Sequence, residues 1–241
     1  MRNRVGMEEF EARLSALEDS LLRGQGRVAA TLYQRLEALT GIYRSLEIDL
    51  PLPTMSGFAL LPEVGAALVV ELLAGQPASV VELGSGVSTL LCAYASRLRG
   101  DGHVYSLEHD EKYHDRTRHY LEERGLTSFV ELFHAPLISV DLAAGPWQRY
   151  DLDSVNLPSD IDFLLIDGPP RSVQPLSRYP ALPMLASRLS ETAVVLLDDA
   201  AREDEQETIR LWRDEFPHFV EEELISGKGA VFLRRTRSPR E

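Results

Sequence analysis

From about Leu60 to Leu233 the chain alternates short apolar runs with amphipathic stretches of helical length, and this rhythm leaves few folds open. Ser79-Val80-Val81-Glu82-Leu83 reads as a strand, and Ser88 to Arg97 as the helix after it. Val104 to Leu107 is a second strand, followed by a helix from about Glu111 to Glu123 and a third strand over Phe129 to Phe133. Ile161 to Ile166 is nearly all apolar, as expected of a strand covered on both faces. Pro183 to Leu189 reads as a helix and Ala193 to Leu197 as a fifth buried strand. Glu203 to Phe216 is helical with Ile209 and Trp212 inward, and Ala230 to Leu233 closes the series as a last strand. Such alternation specifies an α/β fold: a doubly wound, mainly parallel sheet with helices on both faces.

The N-terminal fifty residues follow a different pattern. Met7, Phe10, Leu14, Leu17 and Leu21 form a helical stripe, Gly24-Gln25-Gly26 interrupts it, and Val28, Leu32, Leu36, Leu39, Tyr43 and Leu46 form a second. Two helices packing on their own domain account for both stripes. A hairpin or short coiled coil joining two copies of the chain is the alternative. Pro51, Pro53 and Pro62 then mark a linker or entry loop. The expected division is a helical extension over 1–50 and one domain over 51–241.

Composition narrows the partners. With 25 Lys+Arg against 38 Asp+Glu, the net charge of −13 repels phosphate backbones. Arg234, Arg235, Arg237 and Arg240 form a short basic tail without interleaved aromatics, so nucleic acid is not an expected partner. The lone Cys92 excludes an intramolecular disulfide framework and a cysteine-rich zinc site. No apolar run approaches the roughly 20 residues that span a bilayer, and no secretory signal pattern opens the chain. A soluble, cytoplasmic protein with a small-molecule partner is expected.

In a sheet of this kind, ligands bind beyond the carboxyl ends of the strands, where strand order reverses. After the first strand stands Glu82-Leu83-Gly84-Ser85-Gly86-Val87-Ser88-Thr89. Gly84 and Gly86 permit a tight turn and close backbone approach, while Ser88 and Thr89 open a helix whose amides and hydroxyls can face a ligand. A dinucleotide fingerprint would place a third glycine where Thr89 stands. Glu82 also suits an ammonium group better than a pyrophosphate. Glu108, ending the second strand, can accept hydrogen bonds from both hydroxyls of a ribose. His134-Ala135-Pro136-Leu137, after the third strand, can flank an adenine ring.

Val80 to Thr89 followed by Glu108 resembles the cofactor site of class I S-adenosylmethionine-dependent methyltransferases, which are Rossmann-like. Ile166-Asp167-Gly168-Pro169-Pro170, Arg178-Tyr179-Pro180-Ala181-Leu182-Pro183 and Leu197-Asp198-Asp199 resemble their methyltransferase-24 branch of small-molecule O-methyltransferase-like proteins. The resemblance covers about Ser56 to Leu233. It implies that Glu82 and Gly84, Ser85, Gly86, Ser88 and Thr89 hold the methionine part of S-adenosylmethionine and Glu108 the ribose. His109, Ala135 and Asp167 complete the candidate cofactor contacts.

Asp167 ends one buried strand and Asp198-Asp199 the next, so three carboxylates can converge on one rim. Like charges that close call for a cation, and oxygen ligands of this kind suit Mg²⁺. The arrangement is similar to catechol and sugar O-methyltransferases, in which corresponding acidic residues hold a divalent ion. Helix caps and loop hydrogen bonds without metal are the alternative. Pro169 and Pro170 stand where those enzymes carry a base or a lysine, so the base is sought in Asp167, His109 and His134. Arg171, Arg178 and Tyr179 are candidate substrate residues, the arginines alternatively pairing with Asp198, Asp199 or Glu203. The expected activity is methyl transfer from S-adenosylmethionine to a hydroxyl of a sugar or secondary metabolite, Mg²⁺-assisted. A non-catalytic cofactor-binding assembly module and a nicotinamide-dependent oxidoreductase are its rivals.

Overall fold

A computed structural model describes residues 2–142, 145–224 and 226–236, with side chains from residue 24 onward. The stripe from Met7 to Leu21 falls where side chains are not described, and Arg237 and Arg240 lie outside the described residues. Helix α1 runs from Arg2 to Ser45 without a break, so Gly24 and Gly26 do not end it as expected. Each glycine costs a helix interior only about 1 kcal/mol against alanine, and the neighbouring turns carry that cost. At its far end Leu39, Ile42 and Leu46 turn into the core. Glu47 adopts a left-handed conformation and the Ile48 N–H reaches back to the Tyr43 carbonyl, which closes the helix. Earlier along the same helix Val28, Leu32, Tyr33 and Leu36 remain 55–64% exposed.

Pro62, expected in a loop, begins helix α2 (Pro62–Gly75). A proline suits the first turn, where its missing N–H would have no partner. Val64, Leu68, Val69 and Leu72 are buried between α1 and the helix that follows the first strand. With so little polar surface, α2 lacks the amphipathic alternation by which helices are recognised.

Strand β1 (Ser79–Leu83), helix α3 (Val87–Arg99), strand β2 (His103–Glu108), helix α4 (Glu111–Glu123) and strand β3 (Val130–His134) follow. Helix α4 starts where the Asp110 carboxylate accepts the Lys112 and Tyr113 N–H groups at 2.9 and 3.3 Å. Next come a hairpin, β4 (Leu137–Leu142) and β5 (Gly145–Tyr150), and strand β6 (Ile161–Ile166). Helix α5 (Ala181–Leu185), strand β7 (Leu189–Asp198), helix α6 (Glu203–Glu215), strand β8 (Phe219–Leu224) and strand β9 (Ala230–Arg235) complete the chain. Helix α5 is shorter and earlier than the expected Pro183–Leu189, because Leu189 already belongs to β7. The hairpin and β8 were not anticipated.

Among the described residues, seven strands form one sheet in the order β3-β2-β1-β6-β7-β9-β8. The strands from β3 to β7 run parallel, and β9 is antiparallel to both β7 and β8. This is the expected Rossmann-like, doubly wound arrangement. Alternate side chains fill two cores. Val80, Val104, Phe163 and Leu196 meet α1, α2 and α3 on one face. Val81, Leu164, Val195 and Val231 meet α5, α6 and the hairpin residues Trp147 and Tyr150 on the other. Ile42 and Leu46 share the first core with Leu68 and Leu90, so the end of α1 is part of the same packed unit. None of the described helices is long and apolar enough to cross a membrane.

Candidate active site

Strand order reverses between β1 and β6, and the loops beyond both strands meet there. The Gly84 N–H donates to the Leu107 carbonyl at 2.9 Å, and the Asp167 N–H to the Leu83 carbonyl at 3.0 Å. Gly84 has φ 99°, and a β-carbon on it would stand 3.0 Å from the Gly168 nitrogen. Only glycine fits both demands. A β-carbon on Gly86 would meet nothing within 4 Å, so that part of the loop has open space beside it.

Glu82 is fully buried beneath this loop. Its Oε2 accepts the hydroxyls of Thr89 and Ser106, each at 2.6 Å, while Thr89 Oγ1 accepts the Gly86 N–H at 2.9 Å. Thr89, at the position of the missing glycine, thus ties the carboxylate to the loop. Glu82 Oε1 has no partner among the described residues. Burial, partly offset by the Ser106, Ser88 and Thr89 hydroxyls, pushes the Glu82 pKa up to about 7.

Glu108 is buried rather than an ordinary exposed glutamate. Its Oε2 accepts the Ser85 N–H at 3.0 Å and its Oε1 the Asp110 N–H at 3.0 Å. His109 Nδ1 stands 3.0 Å from the same Oε1, and the ring keeps 23% of its surface exposed. Burial alone would raise the Glu108 pKa, but His109 and the two backbone donors outweigh it and hold the carboxyl below its ordinary value. The Ser85 hydroxyl lies between Glu108 Oε2, 3.3 Å, and Thr117 Oγ1, 3.0 Å. The Ala135 N–H donates to the Glu108 carbonyl at 2.8 Å, and His134 Nε2 lies 3.2 Å from the His109 carbonyl. Ser88 is buried at the start of α3. The glycine loop, Glu82, Glu108, His109 and Ala135 therefore share one end of the sheet, as the sequence suggests.

Tyr150, at the end of β5, is a rim residue the sequence reading missed. Its hydroxyl is buried without a hydrogen-bond partner among the described residues and lies so close to Gly168 that a β-carbon there would collide with it. The ring stands edge-on to His109, 5.8 Å between centroids. Burial, then Glu108 and Asp167, push its pKa well above the ordinary value. Alternation in Leu137-Ile138-Ser139-Val140-Asp141-Leu142 and the Gly145-Pro146 pair were the available signals of this hairpin.

Asp167, Asp198 and Asp199 do converge, with oxygens within 4.8 Å of one another. A cation already stands among them. Arg178 Nη2 lies 3.0 Å from Asp167 Oδ1 and 2.8 Å from Asp199 Oδ2, and also donates to the Asp167 carbonyl at 2.8 Å. Arg178 Nη1 donates to the Asp198 carbonyl at 2.6 Å. Arg202 Nη1 reaches Asp199 Oδ2 at 2.8 Å, and Lys228 Nζ lies 3.8 Å from Asp199 Oδ1. Asp198 is fully buried with neither oxygen partnered among the described residues, and burial followed by Asp199 pushes its pKa to about 6.

At an effective dielectric of about 20, a guanidinium about 4 Å from a divalent ion opposes it by about 8 kcal/mol, which offsets the pull of one carboxylate at that distance. With Arg178 in place, two of the three carboxylates already have a cation as partner. Two candidate substrate residues are likewise committed elsewhere. Arg178 is 3% exposed and paired with Asp167 and Asp199, the second of which was among the alternative partners the sequence left open. Tyr179 is 1% exposed, donates its hydroxyl to Glu215 at 2.7 Å and packs on Trp147. Buried residues at such spacing look like rim residues in a sequence because the loop that carries them folds inward. Arg171 remains exposed.

No curated protein sequence matches the chain. Solved structures do. The S-adenosylhomocysteine-bound methyltransferase PaMTH1 of Podospora anserina shares 15% identity at a TM-score of 0.61, covering 89% of this chain and 96% of its own. TomG of Streptomyces achromogenes, an O-methyltransferase of tomaymycin synthesis bound to S-adenosylmethionine, shares 18% at 0.58, covering 87% and 96%. An O-methyltransferase from Bacillus cereus with S-adenosylhomocysteine shares 20% at 0.58, covering 86% and 97%. At these identities the likeness is one of fold. Residues 81–200, from β1 through the Asp198-Asp199 rim, match the family model described as a methyltransferase domain. The glycine loop over a buried glutamate, the carboxylate ending β2 and this match together mark residues 81–200 as a methyltransferase domain of the methyltransferase-24 type, with the class I S-adenosylmethionine-dependent fold.

Proposed function

We propose that the chain transfers a methyl group from S-adenosylmethionine to a hydroxyl of a small acceptor. The observation that carries the reading is Glu82 Oε1, a buried carboxylate oxygen without a partner among the described residues, beneath a glycine loop with open space at Gly86. That oxygen suits the ammonium of the methionine part, the loop amides its carboxylate, and Glu108 the ribose hydroxyls. Bound there, S-adenosylmethionine supplies an electrophilic methyl group on its sulfonium. The chain's own task is then to align an acceptor, which can contribute roughly 7–11 kcal/mol, and to take up a proton. His109 is suited to the second role, since Glu108 beside Nδ1 leaves Nε2 for the acceptor. Asp167, at the same rim, is the other candidate.

Calorimetric titration with S-adenosylhomocysteine tests this, on the wild-type chain and on Glu108→Ala. Binding that weakens in the variant supports the site, and no binding to the wild type overturns it. A second reading concerns assembly. Val28, Leu32, Tyr33 and Leu36, exposed on α1, support pairing of two chains through their N-terminal helices.

A further inference from the structure

We propose that the Arg178 guanidinium is the resident cation of the rim carboxylates, and that this chain works without a divalent metal ion. The assignment rests on the methyltransferase reading only for what the rim does, not for what occupies it. Two observations carry it. First, Nη2 lies within hydrogen-bond distance of one carboxylate oxygen on each strand end, Asp167 Oδ1 at 3.0 Å and Asp199 Oδ2 at 2.8 Å, where a bridging metal would take its ligands. Second, the guanidinium is held there by backbone as well as by charge. It donates to the carbonyls of Asp167, the residue after β6, and of Asp198, the last residue of the neighbouring β7. An arginine swung in merely to neutralise free carboxylates would not need both carbonyls.

Further contacts fix its position. Ser177, the preceding residue, donates to the Pro169 carbonyl at 2.8 Å, and Arg178 Nε lies 3.7 Å from Glu205 at the start of α6. Arg202 shares Asp199 Oδ2 with Arg178, and Lys228 adds positive charge near Oδ1. The guanidinium therefore joins the ends of β6 and β7, the α5 loop and α6. A planar fork with fixed donors can do this, whereas a metal ion would hold carboxylates and water. Arg178 acts through Asp167 and Asp199, so it is a positioning residue.

The test is Mn²⁺ uptake by the full-length chain, read from the spin-resonance signal of the free ion, beside S-adenosylhomocysteine binding in excess chelator. The wild type is expected to leave Mn²⁺ free at millimolar concentration and to bind S-adenosylhomocysteine equally well with chelator or Mg²⁺. Arg178→Gln is expected to gain one Mn²⁺ site, lost again when Asp199→Asn is added, while Arg178→Lys gains none. Stoichiometric Mn²⁺ uptake by the wild type, abolished by Asp198→Asn, overturns the proposal. So does an Arg178→Gln protein that folds and still takes up no ion. If Arg178→Gln does not fold, wild-type uptake decides alone. Failure of the wild type to bind S-adenosylhomocysteine in either condition overturns the methyltransferase reading and leaves the Mn²⁺ result to judge the cation.

Discussion

The Ser85 N–H donates to Glu108 Oε2 at 3.0 Å, so the glycine loop after β1 is latched to the carboxylate that ends β2. The residue expected to hold a ribose also sets the shape of the loop expected to hold the methionine part. Glu108→Ala removes both functions at once. Hydrogen bonds to a charged group contribute about 1.5–3 kcal/mol, so S-adenosylhomocysteine affinity is expected to fall about ten- to hundredfold by calorimetry. An unchanged affinity would place the ribose elsewhere.

Glu82 makes stability and binding depend on pH in opposite senses. Its folded pKa of about 7 lies above the ordinary 4.5, so the folded chain binds the proton more tightly than the unfolded one. The contribution is fully present below about 4.5 and is lost as pH rises to about 7, by roughly 3 kcal/mol. Urea titrations across that window should show the decline, and Glu82→Gln should flatten it.

A ligand ammonium favours the ionised carboxylate. Affinity for S-adenosylhomocysteine is therefore expected to rise about tenfold from about pH 6 to about pH 8, with proton release at the lower value. Calorimetry in buffers of different ionisation enthalpy counts that proton. No release would mean that the ammonium lies away from Glu82.

Tyr150→Phe removes a buried hydroxyl that has no partner among the described residues. The ligand-free protein is expected to gain up to about 1 kcal/mol, seen as a higher melting temperature. A lower melting temperature would show that the hydroxyl is satisfied. Gly84→Ala should act the other way and cost about 1–3 kcal/mol, because φ 99° and the nearby Gly168 nitrogen both oppose a β-carbon.

Pairing through α1 predicts that Leu32→Glu with Leu36→Glu lowers the sedimenting mass and leaves the circular dichroism of the domain unchanged. A wild-type chain that already sediments as a monomer at high concentration would dispose of the idea.

The sheet was legible because its strands are covered on both faces: Ile161–Ile166 and Ser79–Leu83 stand out as runs with the same bounds in sequence and structure. The glycine loop and Glu108 were legible because their positions follow strand ends. Helix α2 was not, since burial from several sides erases its amphipathic period, and β8 was not because Phe219-Val220-Glu221-Glu222-Glu223-Leu224 is a polar edge strand. Pairing of Arg178 with Asp199 was among the alternatives the sequence offered, whereas its contacts with the Asp167 carboxylate and with the carbonyls of Asp167 and Asp198 were not. A charged side chain in a proline-rich loop reads as surface until the fold shows which carboxylates surround it.

Strands β4 and β5 pair only with each other, yet Trp147 and Tyr150 help cover one face of the main sheet. Because no ladder hydrogen bond among the described residues joins this hairpin to the seven strands, its length and outer residues can change without disturbing their register. Where most of the sheet is covered by helices, a self-contained flap closes this part of it. The hairpin and the glycine loop are thus separate pieces of chain that selection can alter one at a time.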